Sequence, residues 1–472
     1  MTGSPPTSAR PTSARPTSAR PAPARTARLA LRGPALSLKA DPFALPAGDC
    51  LDHIEDALIV IEDGVIAAIG PYADLAPGLS PDIDLIDHRT GLIVPGFIDA
   101  HVHYPQLQMI GAHGAQLLEW LDTYTFPAEM SFADAAHAER VAGLFLRELL
   151  RAGTTTAMVY CTVHPHSVDA FFAESERFNT RMIAGKVLMD RNAPAPLLDT
   201  AQRGFEESAA LIARWHGRGR QHYCVTPRFA PTSTEAQLDA AGALLHEANG
   251  LFLQTHLCEN PGEVEWVREL FPARASYLDV YAHAGLVGPR SMFGHAVHLH
   301  EGDFCTCHQA GAGLAHCPTS NLFLGSGLFR LFEAVDPRCP VRVGLGTDVG
   351  GGTSLSQLQS LNEAYKVAAL TGHKLGAAQA LYLATLGGAR ALHLDDRLGR
   401  LAPGYEADIV VLDPKATPLL GFRTDYCRSI EELVFVLMTL GDDRAVRATY
   451  VAGAPIYDRD RTSEQFRYPT HA

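Results

Sequence analysis

Two periodicities alternate along most of the chain. Short apolar runs rich in β-branched residues are followed by amphipathic stretches with helical spacing, such as AERVAGLFLRELLRAG and EAQLDAAGALLHEA. The eight predicted strands cover residues 97–103, 154–160, 181–188, 222–226, 251–256, 292–295, 313–316 and 342–347. Eight strands that alternate with helices predict an α/β fold, a (β/α)8 TIM-like barrel. A doubly wound open sheet is the alternative, but no strand is followed by a Gly-x-Gly-x-x-Gly turn.

The two ends of the chain differ from the middle in their sequence pattern. Short β segments and turns fill ALIVIEDGVIAAIG near the start and EADIVVLD near the end, and Asp63-Gly64 between two apolar runs predicts a hairpin. These segments predict a small β-sandwich domain built from both chain ends. The predicted divisions are a Pro/Ser/Arg repeat tail at 1–26, the sandwich at 27–92 and 401–460, the barrel at 93–400, and a tail at 461–472. The first tail repeats PTSAR and lacks the apolar residues of a core, so we expect it to be disordered.

Polar residues stand at the carboxyl ends of several predicted barrel strands, where barrels of this type hold their chemistry. The first strand ends in His101 and His103, which point to the same side because strand residues alternate. The fifth ends in His256, the sixth in His295, and Asp348 follows the eighth. Imidazoles and a carboxylate are zinc ligands, so the pattern predicts a metal site in which His295 either binds the metal or orients a water molecule. Iron and manganese accept similar ligands.

Glu259 lies one helical turn beyond His256 and is a candidate proton shuttle beside a metal-activated water molecule.

Composition and charge narrow the function classes. The chain has 472 residues, 47% of them hydrophobic, which fits a soluble globular protein, and it has no apolar window long enough to cross a membrane. The net charge of −13 argues against a nucleic-acid partner. We expect the nine cysteines to be reduced thiols and the protein to be cytoplasmic.

Several motifs together resemble the amidohydrolase superfamily, and within it the guanine deaminases. They are PGFIDAHVHYPQ, VTPRFAPTS, HLCEN, HCPTSNLFLGSGLF and GLGTDVGGGTS, and the similarity extends over residues 55–457. The resemblance implies hydrolytic deamination of guanine to xanthine and ammonia, with one Zn²⁺ per chain, and it implies a homodimer. The implied zinc ligands are His101, His103, His256 and Asp348.

The resemblance also implies roles for the other candidates. Glu259 moves protons, assisted by Asp348 and His295. Gln106, Arg228 and Phe229 recognise guanine, and the remaining substrate-binding residues are His103, His256, Glu259 and Asp348. Lys186 lies on the third predicted strand, whereas the bridging lysine of two-metal relatives lies on the fourth, which agrees with a single metal. A related enzyme acting on a pterin, an adenine-type purine or a chlorotriazine is the alternative, and a barrel scaffold without activity is a further one.

Overall fold

The computed structural model describes residues 28–113 and 116–461. The predicted tail at 1–26 and residues 462–472 of the second tail lie outside the described residues. The strands are β1 (Leu29–Leu38), β2 (Leu51–Glu62), β3 (Val65–Pro71), β4 (Asp84–Asp87), β5 (Leu92–Pro95), β6 (Phe97–His103), β7 (Thr154–Tyr160), β8 (Arg181–Gly185), β9 (Val187–Leu188), β10 (His222–Pro227), β11 (Phe252–Leu257), β12 (Ser291–His295), β13 (Gly313–His316), β14 (Arg342–Leu345), β15 (Ile409–Leu412), β16 (Val446–Val451) and β17 (Ala454–Asp458).

The helices mostly alternate with the barrel strands, whereas the first two lie near the start of the chain and the last two follow β15. They are α1 (Ala47–Cys50), α2 (Tyr72–Leu75), α3 (Leu117–Trp120), α4 (Phe126–Met130), α5 (Ala135–Arg151), α6 (Pro165–Phe178), α7 (Ala201–Trp215), α8 (Glu235–Leu244), α9 (Pro261–Leu270), α10 (Tyr277–His283), α11 (Glu301–Ala310), α12 (Pro318–Phe323), α13 (Leu331–Ala334), α14 (Gln357–Leu370), α15 (Ala377–Ala384), α16 (Leu386–Ala391), α17 (Pro418–Thr424) and α18 (Ile430–Leu440). Among the described residues, none of these helices is both long and apolar enough to cross a membrane.

The predicted barrel is confirmed. Parallel strands follow the order β14-β13-β12-β11-β10-β8-β7-β6, and β9 continues the line of β8 beside β10. The first and last strands meet where Asp348 N donates to His101 O (2.8 Å) and His103 N donates to Val349 O (3.0 Å). This closure brings the segment that follows β14, including Asp348, next to the end of β6, which is where the candidate ligands lie.

The barrel elements form for reasons that their sequences show. Every residue of β6 and β7 is buried, as expected for a parallel strand covered on both faces. Helix α5 begins after Asp134, whose side chain accepts a hydrogen bond from Ala136 N (3.0 Å). Its buried face includes Val141, Phe145 and Leu149, spaced four residues apart, so one stripe of the helix packs on the strands.

A second sheet is built from both chain ends, as predicted. Its order is β17-β16-β15-β5-β1-β2-β3, with β4 paired to β1. The predicted hairpin is confirmed, because Asp63 (φ 50°) and Gly64 (φ 81°) form the turn between β2 and β3. Two left-handed residues suit the right-handed twist of the paired strands. The sheet adjoins the barrel through buried ion pairs, including Arg220 Nη2 with Asp408 Oδ2 (2.7 Å).

The expectation that every cysteine is a reduced thiol is wrong for one pair. Cys305 on α11 and Cys339 just before β14 form a disulfide, with Cα atoms 5.0 Å apart. The two residues are 34 positions apart in sequence. Helix α11 lies beside the segment before β14, where His308 Nδ1 is 2.8 Å from Pro340 O, and this brings the two cysteines together. Spacing along the chain therefore gave no sign of the bond. The other seven cysteines are free, and six of them are buried.

We expect a thiol titration of the unfolded, unreduced protein to detect seven thiols, since seven of the nine cysteines are free. The same titration after reduction should detect nine. Nine thiols before reduction would contradict the pairing of Cys305 with Cys339. The Cys305→Ser variant frees Cys339, so it should show eight thiols both before and after reduction.

Candidate active site

The paired histidines at the end of β6 form one wall of the site. His101 and His103 lie on the same side of the strand, with ring centroids 5.2 Å apart. The register between β6 and β7 shifts between Asp99 and Val102, so the regular pairing of the two strands is interrupted next to His101. Gly294 on β12 lets His101 approach closely, because a Cβ built on that glycine would lie 2.5 Å from Cε1 of the imidazole. A side chain at residue 294 would displace His101.

The histidines on β11 and β12 are oriented through their Nδ1 atoms. His256 Nδ1 lies 2.7 Å from the carbonyl oxygen of Arg228, and His295 Nδ1 lies 2.8 Å from Asn321 Oδ1 on α12. Donation by Nδ1 leaves the Nε2 of His256 with a free lone pair directed at the centre of the barrel. There His256 Nε2 is 3.2 Å from His103 Nε2.

Asp348 completes this ring of donors. Its Oδ1 lies 3.3 Å from His101 Nε2 and 3.4 Å from His103 Nε2, and its backbone has a φ of 49°. Buried Asp99 holds the neighbouring backbone, because its Oδ1 accepts hydrogen bonds from Thr347 N (3.0 Å) and His101 N (3.2 Å). The left-handed conformation of Asp348 is strained for a residue with a side chain and is stabilised by these contacts.

These residues fit a divalent metal ion. One donor atom from each of His101, His256, His295 and Asp348 lies within 4.8 Å of the others, and His103 adjoins the same group. The Nε2 atoms of His101 and His295 are buried and form no hydrogen bond with any described residue. Burial and the neighbouring imidazoles hold the pKa values of His103 and His256 well below the ordinary value, so both rings are neutral, as metal ligands must be.

Glu259 is held beside the donors by the start of α9. Asn260 is the N-cap of that helix, and Glu263 completes a capping box, which the sequence Asn-Pro-Gly-Glu encodes. Glu263 Oε2 accepts from Glu259 N (2.8 Å), so the cap also fixes the backbone of Glu259. The side chain of Glu259 accepts from Ser326 Oγ (3.2 Å) and lies 3.4 Å from His295 Nε2.

Electrostatics separates the roles of the two carboxyl groups. Burial raises the pKa of Glu259 to about 7, and the charges of Asp348 and Glu263 add to this. Burial acts on Asp348 in the same direction, but the neighbouring imidazoles of His101 and His295 outweigh it and lower its pKa to about 2. Asp348 therefore stays ionised while Glu259 can take up and release a proton near neutral pH.

A cavity opens directly onto these groups. Its lining combines His103, His256, Glu259, His295 and Asp348 with Gln106, Arg228 and Phe229, and with Leu117, Trp120, Leu121, Leu324 and Gly351. Apolar walls and a few converging polar groups are typical of a site for a small, flat, polar ring. Phe229 is buried and contacts Trp266 edge-on, with ring centroids 6.4 Å apart.

A carboxylate that the sequence did not reveal binds two of the lining residues. Arg228 Nη1 lies 2.7 and 2.8 Å from the two carboxylate oxygens of Glu129 on α4. Gln106 Nε2 donates to Glu129 Oε1 (3.4 Å), and Gln106 Oε1 accepts from Gly350 N (3.2 Å). The only sign of Glu129 in the sequence is an acid in an otherwise apolar segment, TFPAEM, and that sign is weak.

The structure thus brings the predicted site residues together at the carboxyl ends of the strands. All of them line the cavity except His101, whose Nε2 lies 3.3 Å from Asp348 Oδ1. Lys186 is elsewhere: it is fully buried, and its Nζ pairs with Asp199 and lies 3.4 Å from Glu207. The residues that the sequence interpretation missed are Glu129, Asn321, Asp99 and Ser326. Trp120 is buried and also lines the cavity.

A (β/α)8 barrel with histidines and an aspartate at the carboxyl ends of its strands is the arrangement of a metal-dependent hydrolase. Comparison with known proteins identifies the family of this chain. Residues 92–456 match the model of the amidohydrolase family. The guanine deaminase of Escherichia coli strain K12 is 50% identical over 410 residues, covering 87% of this chain and 93% of that protein. The chain belongs to the amidohydrolase family, and within it to the guanine deaminases.

Solved structures agree with this assignment. The structure of E. coli guanine deaminase is similar with a TM-score of 0.89 and 48% identity, covering 91% of this chain and all (100%) of that one. A guanine deaminase from C. acetobutylicum, solved with guanine bound in its active site, is 26% identical with a TM-score of 0.82, covering 91% of this chain and 100% of that chain.

Proposed function

We propose that the protein deaminates guanine hydrolytically to xanthine and ammonia. The observation that carries this proposal is the composition of one cavity, where the His and Asp donors, Glu259 and the Gln106–Arg228 pair all converge. The similarity to guanine deaminases over most of the chain supports it. The reaction removes the exocyclic amino group at C2 of the purine.

One Zn²⁺ per chain is the proposed cofactor, bound by His101, His103, His256 and Asp348. When bound, zinc acts as a Lewis acid that lowers the pKa of water towards about 7 and so supplies a nucleophile. His295 also approaches this group, and its Nδ1 contact with Asn321 aims its Nε2 at Glu259 and Asp348. We assign His295 to orienting the attacking water.

Glu259 is the proposed proton carrier. Its pKa of about 7 lets it accept a proton from the attacking water and then donate that proton to N3 of the ring. Protonation at N3 prevents negative charge from building up on the purine. Asp348 stays ionised, and together with His295 it stabilises the proton as it moves. The water oxygen bonds to C2 as the first proton leaves it. The remaining hydroxyl proton then passes through Glu259 to the amino group, so that the C2–N bond breaks, ammonia leaves and C2=O forms.

Gln106, Arg228 and Phe229 are the proposed guanine contacts, next to His103 and His256. One Arg228 nitrogen is engaged by Glu129, so the remaining guanidinium N–H groups can donate to acceptors such as O6 and N7. Gln106 has an amide whose orientation is set by Glu129 and Gly350. Phe229 supplies an apolar face for the ring.

A substrate panel tests this function. Guanine, adenine, a pterin and an aminochlorotriazine should be compared by kcat/KM with zinc-loaded enzyme. We expect guanine to exceed each of the others by at least about 10²-fold, because a site built to donate to O6 and N7 leaves its donors unpaired with the wrong ring. A higher kcat/KM for another heterocycle would refute guanine as the substrate, but it would not contradict the proposed metal ligands.

We expect Gln106→Leu to raise the KM for guanine roughly tenfold while kcat changes less, because the amide contributes to binding more than to proton transfer. Steady-state kinetics with guanine measures both constants. Gln108→Leu is the matched control, since Gln108 is exposed and its Nε2 donates to Ala128 O (2.9 Å), away from the cavity. A Gln106→Leu enzyme with unchanged KM would refute the contact.

We also propose that the protein is a cytoplasmic homodimer. Size-exclusion chromatography with light scattering tests the oligomeric state, and a mass of one chain would refute the dimer. Cell fractionation tests the location.

A further inference from the structure

We propose that Glu129 sets the charge selectivity of the purine pocket by neutralising Arg228, so that the pocket favours neutral purines over anionic ones. The inference rests on the proposed function, since it concerns which purines the same cavity accepts. Glu129 does not line the cavity, and its contacts with Arg228 and Gln106 make it a positioning residue.

The contacts form a closed unit. Both oxygens of Glu129 lie within 2.8 Å of Arg228 Nη1, and the two side chains are only 3% and 0% exposed. The same short helix contributes Phe126, whose ring centroid is 5.6 Å from the Arg228 guanidinium carbon. Phe126 and Glu129 are three residues apart and so lie on one face of α4. The helix thus presents a charge partner and an aromatic surface to a single arginine.

The charge of this pair decides what the pocket attracts. A buried guanidinium without a partner would place a full positive charge beside the bound ring, where water screens it poorly. With Glu129 in contact, Arg228 keeps free N–H donors for the purine, while the Arg228–Glu129 pair contributes no net charge to the pocket. A neutral ring then gains hydrogen bonds from the pocket, and an anionic ring gains little extra attraction.

The selectivity has a consequence for the reaction. Guanine is neutral near physiological pH, whereas xanthine is more acidic and is partly an anion there. A pocket with an unpaired arginine would hold the anionic product more tightly than the substrate. Neutralisation by Glu129 therefore favours release of the product after ammonia has left.

The test compares two probes that lack the 2-amino group, urate and hypoxanthine. At one neutral pH urate is an anion and hypoxanthine is neutral. Calorimetric titration of the zinc-loaded enzyme gives the ratio of their Kd values, and this ratio does not depend on the fraction of correctly folded protein. We expect Glu129→Gln to shift the ratio towards urate by roughly tenfold to hundredfold, because an unscreened charge then lies within a few ångströms of the anion.

Glu129→Asp keeps the charge and should retain the wild-type ratio even if the KM for guanine rises. The reciprocal variant Arg228→Gln should shift the ratio away from urate, and it replaces Glu129→Gln if that variant does not fold. Glu432→Gln is the matched control. It removes a carboxylate whose Oε1 is 2.7 Å from an arginine on the surface, and it should change nothing.

Two failures are distinguishable. Normal guanine turnover by the wild type with an unchanged ratio in both Glu129→Gln and Arg228→Gln would overturn the role of Glu129 and leave the proposed function intact. A wild-type enzyme that neither turns over guanine nor binds either probe would overturn the proposed function and this inference together.

Discussion

Replacing Glu259 with glutamine is expected to lower kcat for guanine by roughly 10² to 10⁴-fold, the contribution typical of a positioned acid–base group. Glutamine has nearly the same shape and can keep the contact with Ser326, but it cannot accept a proton from water and pass it to the ring. The start of α9 is held by Asn260 and Glu263, so the fold should be unaffected. KM should change much less than kcat.

The measurement combines steady-state kinetics with metal analysis of the same preparation. Glu265→Gln is the matched control, because Glu265 lies on the exposed face of the same helix. Near-normal turnover by a fully metallated Glu259→Gln enzyme would show that another group carries the proton. The neighbouring candidates would then be His295 and Asp348.

Replacing His256 with asparagine is expected to remove the metal and with it almost all activity, a loss of roughly 10³-fold or more, equivalent to about 4 kcal/mol. His256 Nε2 points at the other donors, whereas its Nδ1 is already committed to Arg228 O. A shorter amide cannot satisfy both positions. Metal content by mass spectrometry and guanine turnover should fall together.

His283→Asn is the control, since His283 lies at the exposed end of α10 and should leave both quantities unchanged. If His256→Asn retains a full metal complement, the metal is held without the β11 ligand. His295 would then replace His256 in the ligand set. This replacement fits the geometry, because His295 Nε2 lies 3.6 Å from Asp348 Oδ2.

Much of this site is predictable because the barrel fold places its functional side chains at the carboxyl ends of the strands. Buried parallel strands read as apolar runs, and the observed bounds of β6, β7 and β13 coincide with the predicted ones. In a closed barrel the carboxyl ends of the strands meet, so isolated polar residues that end those strands must be neighbours. His101, His256, His295 and Asp348 could therefore be grouped without knowing any distance.

The features that escaped prediction depend on contacts between distant parts of the chain. Glu129 meets Arg228 across 99 residues, and its helix of five residues has too few turns to show a periodicity. Asn321 is identifiable as a histidine partner only once α12 is seen beside β12. The disulfide depends in the same way on the packing of α11. Whether His295 binds the metal or orients a water molecule is likewise not encoded in the spacing, because it depends on the distances between the assembled side chains.

Guanine turnover by the purified wild-type enzyme is the most direct test of metal-dependent guanine deamination. Turnover is followed by absorbance before chelation, after chelation and after zinc is restored. We expect conversion of guanine to xanthine that disappears when the metal is removed and returns with about one equivalent of zinc per chain. Turnover that persists after the metal has been removed, or fully metallated protein that leaves guanine unchanged, would contradict this expectation.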